Sequence, residues 1–111
     1  MKKRIAVIMG GYSAEAAVSL KSGKVVCEHL SKEKYEVYPI RIDRDRWVYI
    51  GREDQEIPVD KNNFTVVIDG QQVRFDAVFN AIHGTPGEDG YLQAYFTLIG
   101  LPMTGCGMYE A

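Results

Sequence analysis

The stretch from Asp76 to Pro102 leaves few folds open. Asp76-Ala77-Val78-Phe79-Asn80-Ala81-Ile82 is an apolar run of strand length, which reads as a strand of a parallel sheet buried on both faces. His83-Gly84-Thr85-Pro86-Gly87-Glu88-Asp89-Gly90 follows, and its glycines and proline forbid regular structure. Leu92, Tyr95, Phe96 and Ile99 then recur at helical spacing until Gly100-Leu101-Pro102 ends the pattern. Strand, polar loop, helix puts a histidine at the carboxyl end of a strand and two carboxylates at the amino end of a helix. Open α/β sheets bind ligands at that edge.

The rest of the chain builds a sheet around this unit. Arg4 to Met9 predicts a first buried strand, Gly10-Gly11-Tyr12 a turn, and Ser13 an N-cap for a helix running to about Leu30. The stripe Ala16, Leu20, Gly23, Cys27, Leu30 is the face expected against the sheet. Ala14, Val18 and Val25 form a second apolar line pointing nearly the opposite way. Tyr35 to Ile42 predicts the second strand and completes a βαβ unit with a right-handed crossover. Residues 43–63 read as a polar insertion with one short strand over Trp47-Val48-Tyr49-Ile50-Gly51. Phe64 to Ile68 and Gln71 to Phe75 flank Asp69-Gly70 as a hairpin, expected as an edge ornament outside the parallel core. A last short strand is expected near Pro102-Met103-Thr104. The predicted fold is α/β: a three-layer Rossmann-like domain with a short parallel sheet in the order 2-1-3-4, plus a β-hairpin insertion.

Composition narrows the class of protein. At 111 residues, with 46% hydrophobic and 25% charged residues, the chain has the length and make-up of one soluble domain. A net charge of −2 without a basic patch gives no nucleic-acid footprint. The apolar run Ile5 to Met9 is too short for a signal peptide or membrane span, so a cytoplasmic location is expected. Cys27 and Cys106 lack the companions of a metal site or a disulfide framework.

Two motifs carry a family resemblance. His83-Gly84-x-x-Gly87-Glu88-Asp89-Gly90-x-Leu92-Gln93-Ala94 resembles a signature of the D-alanine–D-alanine ligases at every fixed position. Gly10-Gly11-x-Ser13-x-Glu15, followed by Val18-Ser19 and Ser22-Gly23, resembles their other N-terminal signature, with Ala16 and Ala17 where the family usually carries larger residues. Neither a dinucleotide fingerprint nor a Gly-Lys-Ser phosphate loop fits the first motif. The resemblance implies the N-terminal, pre-ATP-grasp domain of a homodimeric ligase of peptidoglycan synthesis. Such enzymes phosphorylate one D-alanine with ATP and join it to a second through the acyl phosphate. Residues 1–111 would be a fragment holding part of the first D-alanine site and inactive alone. ATP and magnesium would bind in later domains, with no metal ligand here.

By the same resemblance Glu15 is the catalytic anchor of the substrate ammonium, and Val18, Ser19 and His83 line the D-alanine site. Gly10, Gly11, Gly84, Gly87, Glu88, Asp89 and Gly90 shape the two loops. Physical chemistry allows plainer roles. Glu15 would complement a helix dipole, Ser19 and Ser22 would be small residues at a helix–sheet contact, and His83 would be a structural loop histidine. Two further readings stay open at this stage: a non-catalytic α/β ligand-binding domain, and a dimerisation domain. The choice of second substrate, D-alanine, D-lactate or D-serine, lies outside these residues.

Overall fold

The computed structural model of the chain describes residues 2–11, 16–30, 32–43, 46–82 and 91–105. Its centre is β1 (Lys3–Gly10), where Ala6, Val7 and Ile8 are fully buried. An apolar, β-branched segment without a polar face must be covered on both sides, and it is. β1 pairs in parallel with β2 (Tyr35–Ile42) on one flank and with β7 (Ala77–Asn80) on the other. β7 pairs in parallel with β8 (Met103–Gly105), so the parallel strands run β2-β1-β7-β8. The lower corner of this array is pinned by Asp76, whose carboxylate accepts from the Arg4 amide at 2.7 Å while its own amide donates to the Arg4 carbonyl at 2.8 Å.

The strand pleat sends alternate residues to opposite faces, and one helix covers each. Met9 meets α1 (Ala16–His29) at Gly23. Ala6 and Ile8 belong to the main apolar cluster with Leu92 and Phe96 of α2 (Tyr91–Leu98). The expected sheet-facing stripe of α1 is the covered one: Gly23 is buried, and Ala16, Leu20, Cys27 and Leu30 are partly so. Burial pushes the Cys27 thiol up to about 11. On the outer line Val18 is 56% exposed and Val25 50%, while Ala14 lies outside the described residues. α2 ends in a complete Schellman motif: Gly100 adopts φ 76°, its amide donates to Thr97, and the Leu101 amide donates to Phe96.

Two expectations need correction. Residues 43–63 carry two strands, β3 (Trp47–Ile50) and β4 (Glu56–Asp60), each antiparallel to its predecessor. Pro58 disguised β4, because proline cannot serve a ladder on its N–H side. The structure resolves this by changing partners at that residue: β4 pairs with β3 over Glu56 to Pro58 and with β5 (Thr65–Ile68) only at Val59 and Asp60.

The second correction concerns the hairpin of β5 and β6 (Gln71–Val73). It turns at Asp69 and Gly70, both at positive φ as a tight primed turn requires, and it ends the sheet. It is nonetheless no ornament. Phe64, Val66, Val73 and Phe75 are buried in the same cluster as Ala6 and Phe96. The short sheet expected from the sequence is thus one curled sheet of eight strands among the described residues, in the order β6-β5-β4-β3-β2-β1-β7-β8. Its antiparallel half folds over α2, and Phe64 stands edge-on to Phe96 with ring centroids 4.8 Å apart.

Candidate functional site

The strands that lead into the two signatures, β1 and β7, are neighbours and end at the same edge of the sheet. β1 and β7 are parallel, with Ile8 opposite Asn80, so each strand's carboxyl end opens there. This is the switch point of the sheet: the connection from β1 runs to α1 and β2 on one flank, and β7 lies on the other.

The first loop is built on backbone that only glycine adopts easily. Gly10 and Gly11 have φ of 97° and 100°. A Cβ on Gly10 would fall 2.9 Å from the Ile42 carbonyl oxygen and 3.4 Å from Cγ of Arg41. The Gly11 amide donates to that same Ile42 carbonyl at 2.7 Å, so the turn is fastened to the end of β2. Beneath it lies an ion network. The Arg41 guanidinium donates to Glu56 at 2.8 Å and to Asp43 at 3.1 Å, and Arg46 donates to the other Glu56 oxygen at 2.8 Å. The Arg41 hydrogen bond, then the Arg46 contact, hold the Glu56 carboxyl below the usual carboxylate range.

Ser19 joins the first loop to the end of β7. It is fully buried on α1. Its hydroxyl accepts from the Gly10 amide at 2.9 Å and donates to the Ala81 carbonyl at 2.7 Å. The neighbouring Asn80 side chain accepts from the Ile82 amide at 2.9 Å, closing a small turn at the end of β7. Sequence reasoning singled out Ser19 but not Asn80 or Ala81. The signal for Asn80 was present, a polar residue inside an otherwise apolar buried run.

Of the residues expected to form the site, Gly10, Gly11, Val18 and Ser19 are thus placed. Ser19 stands beneath the loops with its hydroxyl committed to backbone, and Val18 is on the exposed side of α1. Glu15, His83, Gly84, Gly87, Glu88, Asp89 and Gly90 lie outside the described residues. Residue 15 immediately precedes α1 and residue 83 follows Ile82, so both belong to connections that start at this edge. Among the described residues no group of three or more His, Cys, Asp or Glu side chains gathers as a metal would need. None of the helices described is long and apolar enough to cross a membrane.

Comparison with known proteins accounts for this arrangement. The family described as "D-ala D-ala ligase N-terminus" matches residues 4–106, nearly the whole chain. The chain belongs to that family. A D-alanine–D-alanine ligase of Flavobacterium johnsoniae is 54% identical over 109 residues, which are 98% of this chain and 34% of the relative. D-alanyl-alanine synthetase A of Vibrio cholerae superposes with a TM-score of 0.79 at 30% identity, covering 96% of this chain and 32% of that one. The VanG D-Ala:D-Ser ligase of Enterococcus faecalis gives 0.78 at 31% identity, covering 93% and 35%. A Bacillus anthracis D-alanine–D-alanine ligase complexed with ATP gives 0.61 at 32% identity, covering 91% and 28%. The chain spans about a third of the length of these relatives. The shared region is therefore the family's N-terminal domain, a mixed α/β fold.

Proposed function

We propose that this domain is the D-alanine-binding part of an ATP-dependent D-alanine–D-alanine ligase that serves peptidoglycan precursor synthesis in the cytoplasm. The observation that carries the reading is that β1 and β7, the strands that lead into the two family signatures, end side by side at one sheet edge, where Gly10 and Ala81 are tied through a single side chain. Residues 1–111 then act as the substrate domain, working with domains beyond them and in a homodimer.

Within that reading the chain's own residues bind and orient. The Glu15 carboxylate accepts charge-assisted hydrogen bonds from the ammonium of the first D-alanine. Val18 and His83 flank the substrate, His83 by hydrogen bonding, and Ser19 belongs to the wall beneath. The glycines permit close approach of backbone to ligand. The amino end of α1 favours the negative charge of the substrate's activated carboxyl group. On this reading ATP and magnesium bind outside residues 1–111. The second substrate is D-alanine by the names of most relatives, and the VanG likeness keeps D-serine as the competitor to be tested.

Phosphate release tests the reading. The protein that carries this domain should release phosphate from ATP only when D-alanine is added, and residues 1–111 alone should release none. Ligase activity absent from the whole protein, or D-alanine-dependent release by the domain alone, overturns it.

A further inference from the structure

The β1–β7 ladder is interrupted at one rung. The Ala81 amide donates to the Ile8 carbonyl at 2.9 Å, in the register that sets Ile8 opposite Asn80. In a parallel ladder the next bond runs from the amide two residues beyond Ile8 to the carbonyl of Ala81. That amide is Gly10, and the bond is not made. The Ser19 hydroxyl stands between the two groups, accepting from Gly10 at 2.9 Å and donating to Ala81 at 2.7 Å.

We propose that Ser19 is the inserted rung that sets the separation of the two signature loops, a positioning residue for the D-alanine site. The inference rests on the function proposed above. A hydroxyl has one proton to give, and here it goes to Ala81. With no exposed surface, Ser19 presents nothing to a ligand in the crevice. What it does is hold β1 and β7 one oxygen atom further apart than direct pairing would, at the point where their loops diverge. The alternative role, a small residue filling a helix–sheet contact, explains the size of the side chain but not a hydroxyl bonded to both strands. Removing the hydroxyl strips both backbone groups of their partner, and the loops that follow them lose their fixed separation.

The test is Ser19→Ala in the full-length protein, read in two ways. The KM for the first D-alanine should rise by about tenfold or more, the scale of one lost buried hydrogen bond, while the ATP KM stays within about twofold. A filler residue would lower the melting temperature and leave both KM values alone, and that result overturns the proposal. The second reading needs no activity. In protein labelled with nitrogen-15 glycine, the Gly10 amide should be strongly protected from hydrogen exchange in the wild type and lose about tenfold or more of that protection in Ser19→Ala. Wild-type exchange at the rate of an open loop overturns the proposal even if the variant fails to fold. Lack of D-alanine-dependent activity in the wild type defeats the functional reading and leaves the exchange experiment to decide on the latch.

Discussion

Gly23 of α1 lies so close to Met9 of β1 that a Cβ on the glycine would fall 2.7 Å from the methionine's Cβ. Residues four apart share a helix face, so Ser19 is carried on the same contact. Close approach at Gly23 is what lets a side chain as short as serine reach the backbone of β1. The requirement for glycine in one turn of the helix and the hydrogen bonds made in the turn before it are one structural fact.

Gly23→Ala should therefore destabilise the fold despite improving helix propensity. The propensity gain is about 1 kcal/mol. The added methyl meets Met9 Cβ, which cannot swing away as the thioether end can, and overpacking of this kind costs about 1–3 kcal/mol. The expected net loss is up to about 2 kcal/mol, measured as a lower midpoint in denaturant. The Gly10 amide should also exchange faster, because lifting α1 lengthens its bond to Ser19.

The ion network under the first loop gives a pH prediction. Glu56 has its folded-state pKa depressed, so it stabilises the fold above the ordinary carboxylate value of 4.5 and that contribution is lost as pH falls through the lower folded value. Wild type should melt above Glu56→Gln at pH 7, and the difference should shrink steadily as pH falls below 4.5. The groups are solvent-accessible, so 1 M salt should shrink it at pH 7 as well. Melting curves of both proteins against pH and salt check the sign. A difference that widens in acid would mean that Glu56 is not held by Arg41 and Arg46.

Phe64 is the residue on which the curl of the sheet depends. It is 1% exposed, and its ring lies within 4.8 to 6.3 Å of those of Phe96, Phe75, Trp47 and Tyr95. It also adopts φ 53°, a left-handed conformation that costs a bulky residue roughly 1–2 kcal/mol. The ring contacts hold it there. Phe64→Ala should cost about 3–5 kcal/mol, a large part of the roughly 5–15 kcal/mol that stabilises an ordinary domain. Trp47, the chain's single tryptophan, is in edge contact with Phe64 and reports the loss through its fluorescence.

These features mark how far the sequence could be read. The parallel strands and both helices were legible because their signals are local: β-branched runs, glycine turns, and apolar residues at helical spacing. The role of Asp69-Gly70 was legible for the same reason, since few residue pairs accept two positive φ angles. β4 was not, because Glu-Ile-Pro-Val-Asp is short and carries a proline whose harmlessness depends on which neighbour pairs where. Nor was the burial of Phe64 and Phe75, which follows from the sheet curling over α2 and so from contacts remote in sequence. At the site, the identity of Ser19 was visible but its task was not. A serine becomes a rung only in one register of β1 against β7, and register is a property of the folded sheet.

The last prediction concerns Glu15, which immediately precedes α1 in the Gly-Gly-x-Ser-x-Glu signature. Glu15→Gln in the full-length protein keeps the shape and one acceptor but removes the charge proposed to hold the ammonium of the first D-alanine. A hydrogen bond to a charged group is worth about 1.5–3 kcal/mol. The corresponding loss in kcat/KM for the first D-alanine is roughly ten- to a hundredfold. Most of it should appear as a raised KM for D-alanine, with the ATP KM little changed, because the nucleotide is expected to bind in another domain. Stability should hardly move, since an acid near the start of a helix contributes only about 0.3–1 kcal/mol. Ser19→Ala and Glu15→Gln should differ in one respect. Both raise the D-alanine KM, but only the serine variant should speed exchange of the Gly10 amide, because only Ser19 is bonded to it. Unaltered kinetics in Glu15→Gln together with a large fall in melting temperature would make Glu15 a structural residue and end its assignment as substrate anchor.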